Sequence, residues 1–290
     1  MAQRVSIGIF DSGAGGLGVL FECLRLSHGV RYFYLADEAH APYGSRTEQE
    51  IASYVRKGLR IFEALGVDAA VLACNTATAA CVEEMRRAFP FPVVGTEPAV
   101  RLAERAGCKH ALVLVTPRTA QCARFRALLA REKERFTVFS PPRLASAVER
   151  FVTEGEPLSL SCHLPRGAFG GVVLGCTHYT LVKDEIAAFY SSPVFDGNPG
   201  TARRALSLAG RDGQPLAGIS DHQKGGMTTN KRSVQECECA TKNEVIFLNS
   251  PKLYNKLHNE HMFSTRFPPK NVIFSQMSEN FFDFSKKKWS

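Results

Sequence analysis

Between residues 5 and 206, short runs of consecutive apolar residues alternate with stretches whose apolar positions recur every three to four residues. Continuous apolar runs mark strands buried on both faces, and the longer period marks helices with one buried side. The runs predict strands over Val5–Phe10, Val30–Leu35, Asp68–Ala73, Val93–Gly95, His110–Val115, Phe136–Phe139, Gly171–Leu174 and Pro193–Phe195. The periodic stretches predict helices over Thr47–Leu65, Ala77–Ala88, Pro98–Ala106 and Thr119–Glu132. Strands and helices in alternation predict an α/β fold with mainly parallel sheets. Beyond residue 206 the pattern changes. Residues 207–243 are rich in Gly, Asn, Thr, Lys and Ser and read as a polar linker. Order returns at a strand-like Glu244–Asn249 and a helix-like Pro251–His261, and residues 263–290 show no period and read as an irregular extension.

The same pattern repeats. Ala70–Thr76 reads A-V-L-A-C-N-T and Val172–His178 reads V-V-L-G-C-T-H, which puts Cys74 and Cys176 102 residues apart. The strand ending at Asp11 and the strand ending at Thr116 keep nearly the same offset, 105 residues. Two matched offsets predict a duplicated unit. The expected organisation is a first α/β domain over 1–97 and a second, similar one over 98–206, facing each other.

Composition narrows the class without naming a function. The chain has 290 residues, 44% apolar and 22% charged, an ordinary globular mix that suits two domains. No apolar run is long enough to span a membrane. The first apolar stretch is cut by Asp11 and followed by glycines, which does not read as a signal peptide. Nine cysteines, an odd number scattered through the chain, suggest reduced thiols and a cytoplasmic setting. The net charge is +8, but residues 207–290 carry half of that excess, so charge by itself is a weak argument for nucleic acid.

Chemistry concentrates at the repeated strand ends. Ligands in open parallel sheets bind beyond the carboxyl ends of the strands, where Cys74 and Cys176 both fall. A following helix N-terminus stabilises a thiolate and should lower each thiol pKa. Two facing units would present two thiols to one ligand from opposite sides, the arrangement that inversion at a carbon requires. Cys23, Cys81, Cys108, Cys122 and Cys162 lack the repeated setting and read as small buried residues. Asp11-Ser12-Gly13-Ala14-Gly15-Gly16 offers backbone amides suited to a carboxylate, yet it matches neither the dinucleotide nor the P-loop fingerprint. A zinc site is not indicated: only His178 lies near either cysteine, and Cys237 and Cys239 form an isolated pair.

Four motifs together carry a family resemblance: I-F-D-S-G-A-G-G at 9–16, A-P-Y-G at 41–44, A-C-N-T-A-T at 73–78 and L-G-C-T-H-Y at 174–179. In this order the sequence resembles the glutamate racemases of the cofactor-independent aspartate/glutamate racemase superfamily. The resemblance implies two α/β domains related by a pseudo-twofold axis, the first completed by 244–262, with the active site in the cleft between them. The resemblance implies that Cys74 takes the α-proton from D-glutamate and Cys176 from L-glutamate, the opposite thiol acting as acid. It places Asp11 beside Cys74 and His178 beside Cys176 as assisting groups. Ser12, Tyr43, Gly44, Asn75, Thr76 and Thr177 match residues that hold the amino acid. Thr116 and Thr119 match a threonine loop, although Val115 stands where Gly is common, and Glu149 aligns with a glutamate of the second half-site. From the residues alone, Asp11 and His178 could instead be helix caps and Glu149 a solvated position.

The resemblance further implies an isomerase without pyridoxal phosphate or metal, supplying D-glutamate for peptidoglycan in the cytoplasm, as a homodimer or monomer. Its rate would come from a closed, preorganised site reached by hinge motion, with backbone and hydroxyl donors on the side-chain carboxylate. A related racemase acting on aspartate, and an inactive racemase-like body whose tail contacts DNA or gyrase, are the competing readings. Two intact cysteines argue against the last.

Overall fold

A computed structural model describes residues 4–130, 133–210, 243–248 and 272–276, the last segment by its backbone. Eight strands lie between residues 6 and 195: β1 Ser6–Asp11, β2 Arg31–Ala36, β3 Ala69–Leu72, β4 Val93–Gly95, β5 Ala111–Val115, β6 Phe136–Phe139, β7 Gly171–Gly175 and β8 Val194–Phe195. Each falls within a residue or two of the run that predicts it. Further along the chain, β9 spans Asn243–Leu248 and β10 Val272–Gln276. All pairings are parallel.

The duplication is written in the strand order. One sheet runs β10-β9-β2-β1-β3-β4 and the other β6-β5-β7-β8. The four strands β2-β1-β3-β4 and β6-β5-β7-β8 are the same permutation, so β1 corresponds to β5 and β3 to β7. Register then aligns the chemistry. Phe10 sits opposite Leu72, and the Ala73 amide donates to the Phe10 carbonyl, which brings Cys74 beside Asp11. In the second sheet Val115 pairs with Gly175, bringing Thr116 beside Cys176.

The helices form where their ends are signalled. α1 spans Leu17–Leu26 and α2 Glu48–Leu65. α2 opens on a reciprocal capping box between Thr47 and Glu50 and ends at Gly66, whose φ of 67° suits a residue without Cβ. α3 spans Asn75–Ala88 with Cys74 as its N-cap, and α4 spans Val100–Arg105. The single helix expected over Thr119–Glu132 is two, α5 Pro117–Gln121 and α6 Ala123–Leu129. They are separated by Cys122, which is extended and donates its thiol to Glu48 at 3.3 Å. α7 Leu144–Glu154, α8 Thr177–Thr180, α9 Lys183–Tyr190 and α10 Asn198–Ala209 complete the set.

Two features differ from the expected organisation. α10 lies within and beyond 98–206, yet it packs along α1 and against β3 and β4 of the first sheet. Its small residues Ala202, Ala205 and Ala209 allow that close approach. The segment expected to be irregular over 263–290 contains β10, which extends the first sheet beyond β9 because Val272-Ile273-Phe274 is itself a short apolar run. The remainder of 211–290, including the helix expected at Pro251–His261, lies outside the described residues.

Among the described residues the chain therefore leaves the first sheet once, through Thr96-Glu97-Pro98, and returns once, through Asp196-Gly197-Asn198. The two crossings touch: a methyl group on Gly197 would lie 2.5 Å from the Glu97 carbonyl oxygen. Gly197→Ala is expected to force the crossings apart and cost about 1–3 kcal/mol, as overpacking does. Urea denaturation of the two proteins measures it.

Candidate active site

Both thiols are buried at helix starts. Cys74 caps α3, with its sulfur 3.5 Å from the Ala77 amide and 3.6 Å from the Ser12 hydroxyl, both donors to it. Cys176 precedes α8, and its sulfur is 3.9 Å from Nδ1 of His178. Cys176 lies near enough for its charge to act on the Cys74 thiol.

The Cys74 side is anionic. Asp11 is wholly buried, and its Oδ2 accepts from the Gly13 and Gly16 amides at 3.0 Å. Its Oδ1 is buried with no hydrogen-bond partner among the described residues. Burial pushes the Asp11 carboxyl up to about 6, against the pull of His178 and the two amides. Burial and then the Asp11 charge push the Cys74 thiol up to about 12. This corrects the expectation from helix position, because one amide from Ala77 does not outweigh the loss of water.

The Cys176 side is cationic. His178 Nε2 lies 2.5 Å from Glu149 Oε2. Burial works against the imidazolium, but the Glu149 carboxylate, aided by Cys176, holds the His178 pKa well above its usual value. Burial likewise opposes the Glu149 charge, and His178 keeps that carboxyl below its usual range. Glu149 is thus neither a solvated face residue nor a group in contact with a thiol; it stands behind His178. Its oxygens also accept from the Ala14 amide of the first unit at 3.0 and 3.1 Å. The amides of the glycine loop do bind carboxylates, and those carboxylates belong to Asp11 and Glu149.

The remaining predicted residues gather around this core. Thr76 of the first unit and Thr116 and Thr119 of the second form a triangle of hydroxyls, with edges of 2.9, 3.3 and 2.9 Å. Thr116 also caps α5. Gly44 packs beside Thr116 of the second unit, where a Cβ would lie 3.6 Å from the Thr116 Cβ. Thr177 is buried beside Gly15, and a methyl group on Gly15 would lie 2.7 Å from its hydroxyl and 2.6 Å from His178 Nδ1. Asn75 is turned away from the thiols, its amide donating to the Thr96 carbonyl at the first crossing. Tyr43 is buried, and its hydroxyl donates to Asp37. Asp37 is the residue that sequence reasoning passes over. An Asp six positions ahead of Tyr43 was visible, but nothing local showed that they meet.

Among the described residues no cluster of three His, Cys, Asp or Glu side chains is placed to hold a metal ion, and no helix is long and apolar enough to cross a membrane. Cys237 and Cys239 lie outside the described residues. Cys23, Cys81, Cys108 and Cys122 are buried as expected, whereas Cys162 is exposed on a short turn.

A family profile described as Asp/Glu/hydantoin racemase matches residues 22–205. The chain belongs to that family. It is an amino-acid racemase, an isomerase. It is 38% identical over 218 residues to a glutamate racemase of Halothermothrix orenii, covering 70% of this chain and 84% of the relative. A glutamate racemase of Aquifex aeolicus is 37% identical over 216 residues, covering 72% and 85%. The fold matches Escherichia coli glutamate racemase, solved with L-glutamate and the activator UDP-MurNAc-ala, at a TM-score of 0.70 and 24% identity, over 95% of this chain and 99% of that one. It matches the Thermus thermophilus enzyme, solved with beta-chloro-D-alanine, at 0.65 and 25%, over 96% and 98%.

The raised Asp11 carboxyl predicts a pH signature for this racemase. A carboxyl whose folded pKa lies above its unfolded value of 3.8 stabilises the fold fully below that value. The contribution is lost as pH rises through about 6. Asp11→Asn removes the titration, at a cost to wild type of up to about 3 kcal/mol on the alkaline side. The variant's stability relative to wild type should therefore rise between about pH 4 and about pH 6 and level off above. Denaturant melts across that range test it; a flat difference contradicts it.

Proposed function

We propose that this racemase interconverts L- and D-glutamate by two-base proton transfer between Cys74 and Cys176, without a cofactor. The observation that carries the reading is the pair of thiols, each at a helix start on one of two duplicated halves and each with its own acid/base neighbour. Cys74 rests as a thiol beside Asp11 and is the acid when Cys176 takes the α-proton of L-glutamate. In the reverse direction Cys74 takes the α-proton of D-glutamate, and Cys176 returns one to the opposite face. One C–H bond breaks and one forms, and each thiol exchanges a single proton.

The substrate groups have complementary partners. The unpaired Asp11 Oδ1 is an acceptor for the ammonium. Ser12, the hydroxyl triangle of Thr76, Thr116 and Thr119, and backbone donors at Gly44, Asn75 and Thr177 suit the two carboxylates. Charge developing beside the reacting carbon would then meet fixed donors in a water-poor cleft. His178, held by Glu149, assists Cys176. Support for glutamate over aspartate comes from the four glutamate-type motifs and from curated relatives named glutamate racemase at 37–38% identity. The cellular role that follows is supply of D-glutamate for peptidoglycan in the cytoplasm. The first unit is taken as 1–97 with α10 and 244–262, and the second as 98–197, in a monomer or homodimer.

Proton–deuterium exchange at Cα of D- and L-glutamate in D₂O tests the mechanism. Wild type should racemise both without added cofactor. Cys74→Ser and Cys176→Ser should each lower turnover by about a hundredfold or more, the range expected for a positioned acid/base group. No exchange by folded wild type would sink the glutamate reading, and comparison with aspartate and glutamine fixes the specificity.

A further inference from the structure

Tyr43 and Gly44 are held at the cleft by a loop that is stitched to one carboxylate. The segment leaves β2 at Asp37, whose backbone amide donates to the Asp11 carbonyl at 2.9 Å. It makes two short 3₁₀ turns, Glu38–His40 and Tyr43–Ser45, before α2 begins. Both oxygens of Asp37 are used within this loop. Oδ2 accepts from the Tyr43 hydroxyl at 2.5 Å, and Oδ1 lies 2.7 Å from Nδ1 of His40. The His40 ring stacks on Tyr54 at 3.8 Å, and the His40 carbonyl accepts from Arg46 at 3.1 Å.

Tyr43 itself is 2% exposed and set between Phe10 and Tyr54, with ring centroids 6.5 and 6.1 Å away. Its hydroxyl has Asp37 as its hydrogen-bond partner, and it is near enough to feel the charges of Cys74 and Asp11. The next residue, Gly44, faces Thr116 of the opposite unit. A buried phenol without its partner would carry an unsatisfied donor, so the Tyr43 position depends on Asp37.

We propose that Asp37 is a positioning residue of the racemase: its carboxylate fixes Tyr43, and through it the Gly44 backbone, in the geometry that receives the substrate. It makes no hydrogen bond to either thiol and acts through Tyr43. A carboxylate is required because two donors converge on it from opposite sides. Asn offers one oxygen and would turn an amide N–H toward one of them. The inference rests on the proposed roles of Tyr43 and Gly44 in holding glutamate.

Steady-state kinetics of Asp37→Ala, Asp37→Asn, Tyr43→Phe and the Asp37→Ala/Tyr43→Phe double variant provide the test. Asp37→Ala should raise the glutamate KM about tenfold with kcat within about threefold, and Asp37→Asn should fall between it and wild type. The double variant should be no worse than Asp37→Ala, because both changes break one unit. An unchanged KM, additive effects, or a fall in kcat of about a hundredfold at constant KM would each overturn the proposal. Amide hydrogen exchange provides a readout independent of turnover. Residues 38–46 should exchange faster in Asp37→Ala than in wild type, and unchanged exchange would overturn the proposed stitch. Faster exchange in a wild-type background that does not racemise glutamate would instead count against the substrate reading alone.

Discussion

The contact on which the site depends is the seating of the glycine loop on the opposite half. Ala14 donates its amide to Glu149, and Gly15 lies so close to His178 and Thr177 that a methyl group has no room. One loop from the first unit therefore touches the acid/base pair of the second with backbone atoms only. Asp11, at the root of the same loop, closes it by accepting from Gly13 and Gly16. Loosen this seat and both halves of the chemistry move, because the Cys74 neighbour and the Cys176 neighbour share it.

That seating also explains why two equivalent cysteines do not have equivalent surroundings. Cys74 faces a carboxylate, Cys176 faces an imidazole braced by another carboxylate, and burial magnifies each difference. The duplication supplied matching strand ends and helix starts, and the side chains added at those ends broke the electrical symmetry. The two-base reaction proposed above would thus be served by an asymmetric pair of environments. The asymmetry is local: it arises from Asp11 on one side and His178 with Glu149 on the other, while the backbone permutation of the two sheets is the same.

Much of this was legible in the sequence, for identifiable reasons. Apolar runs in parallel strands are continuous, so the eight strands up to Phe195 stood out. Paired cysteines in repeated settings revealed the duplication, and co-ordered motifs located Asp11, Cys74, Cys176 and His178. Contacts across the halves were not legible. Glu149 looks like any glutamate on an amphipathic helix until α7 is packed beside α8, and the Ala14 amide has no side-chain signature at all. The thiol pKa of Cys74 was misjudged because helix position is a local property and burial is a global one. β10 escapes the pattern because a three-residue apolar run amid polar sequence carries little periodic information, and the break at Cys122 because an extended residue between two helices leaves the apolar spacing intact.

The adjacency of the two crossings at Glu97 and Gly197 has a mechanical consequence. A body attached through a single strand can swing, twist and slide; one attached through two strands that touch keeps the twist and swing about that point and loses the slide. Any swing of the second unit against the first would accordingly be an arc centred near the contact of Glu97 with Gly197. A chain joined in this way is built like a pair of tongs, whose joint would fix the path its tips follow.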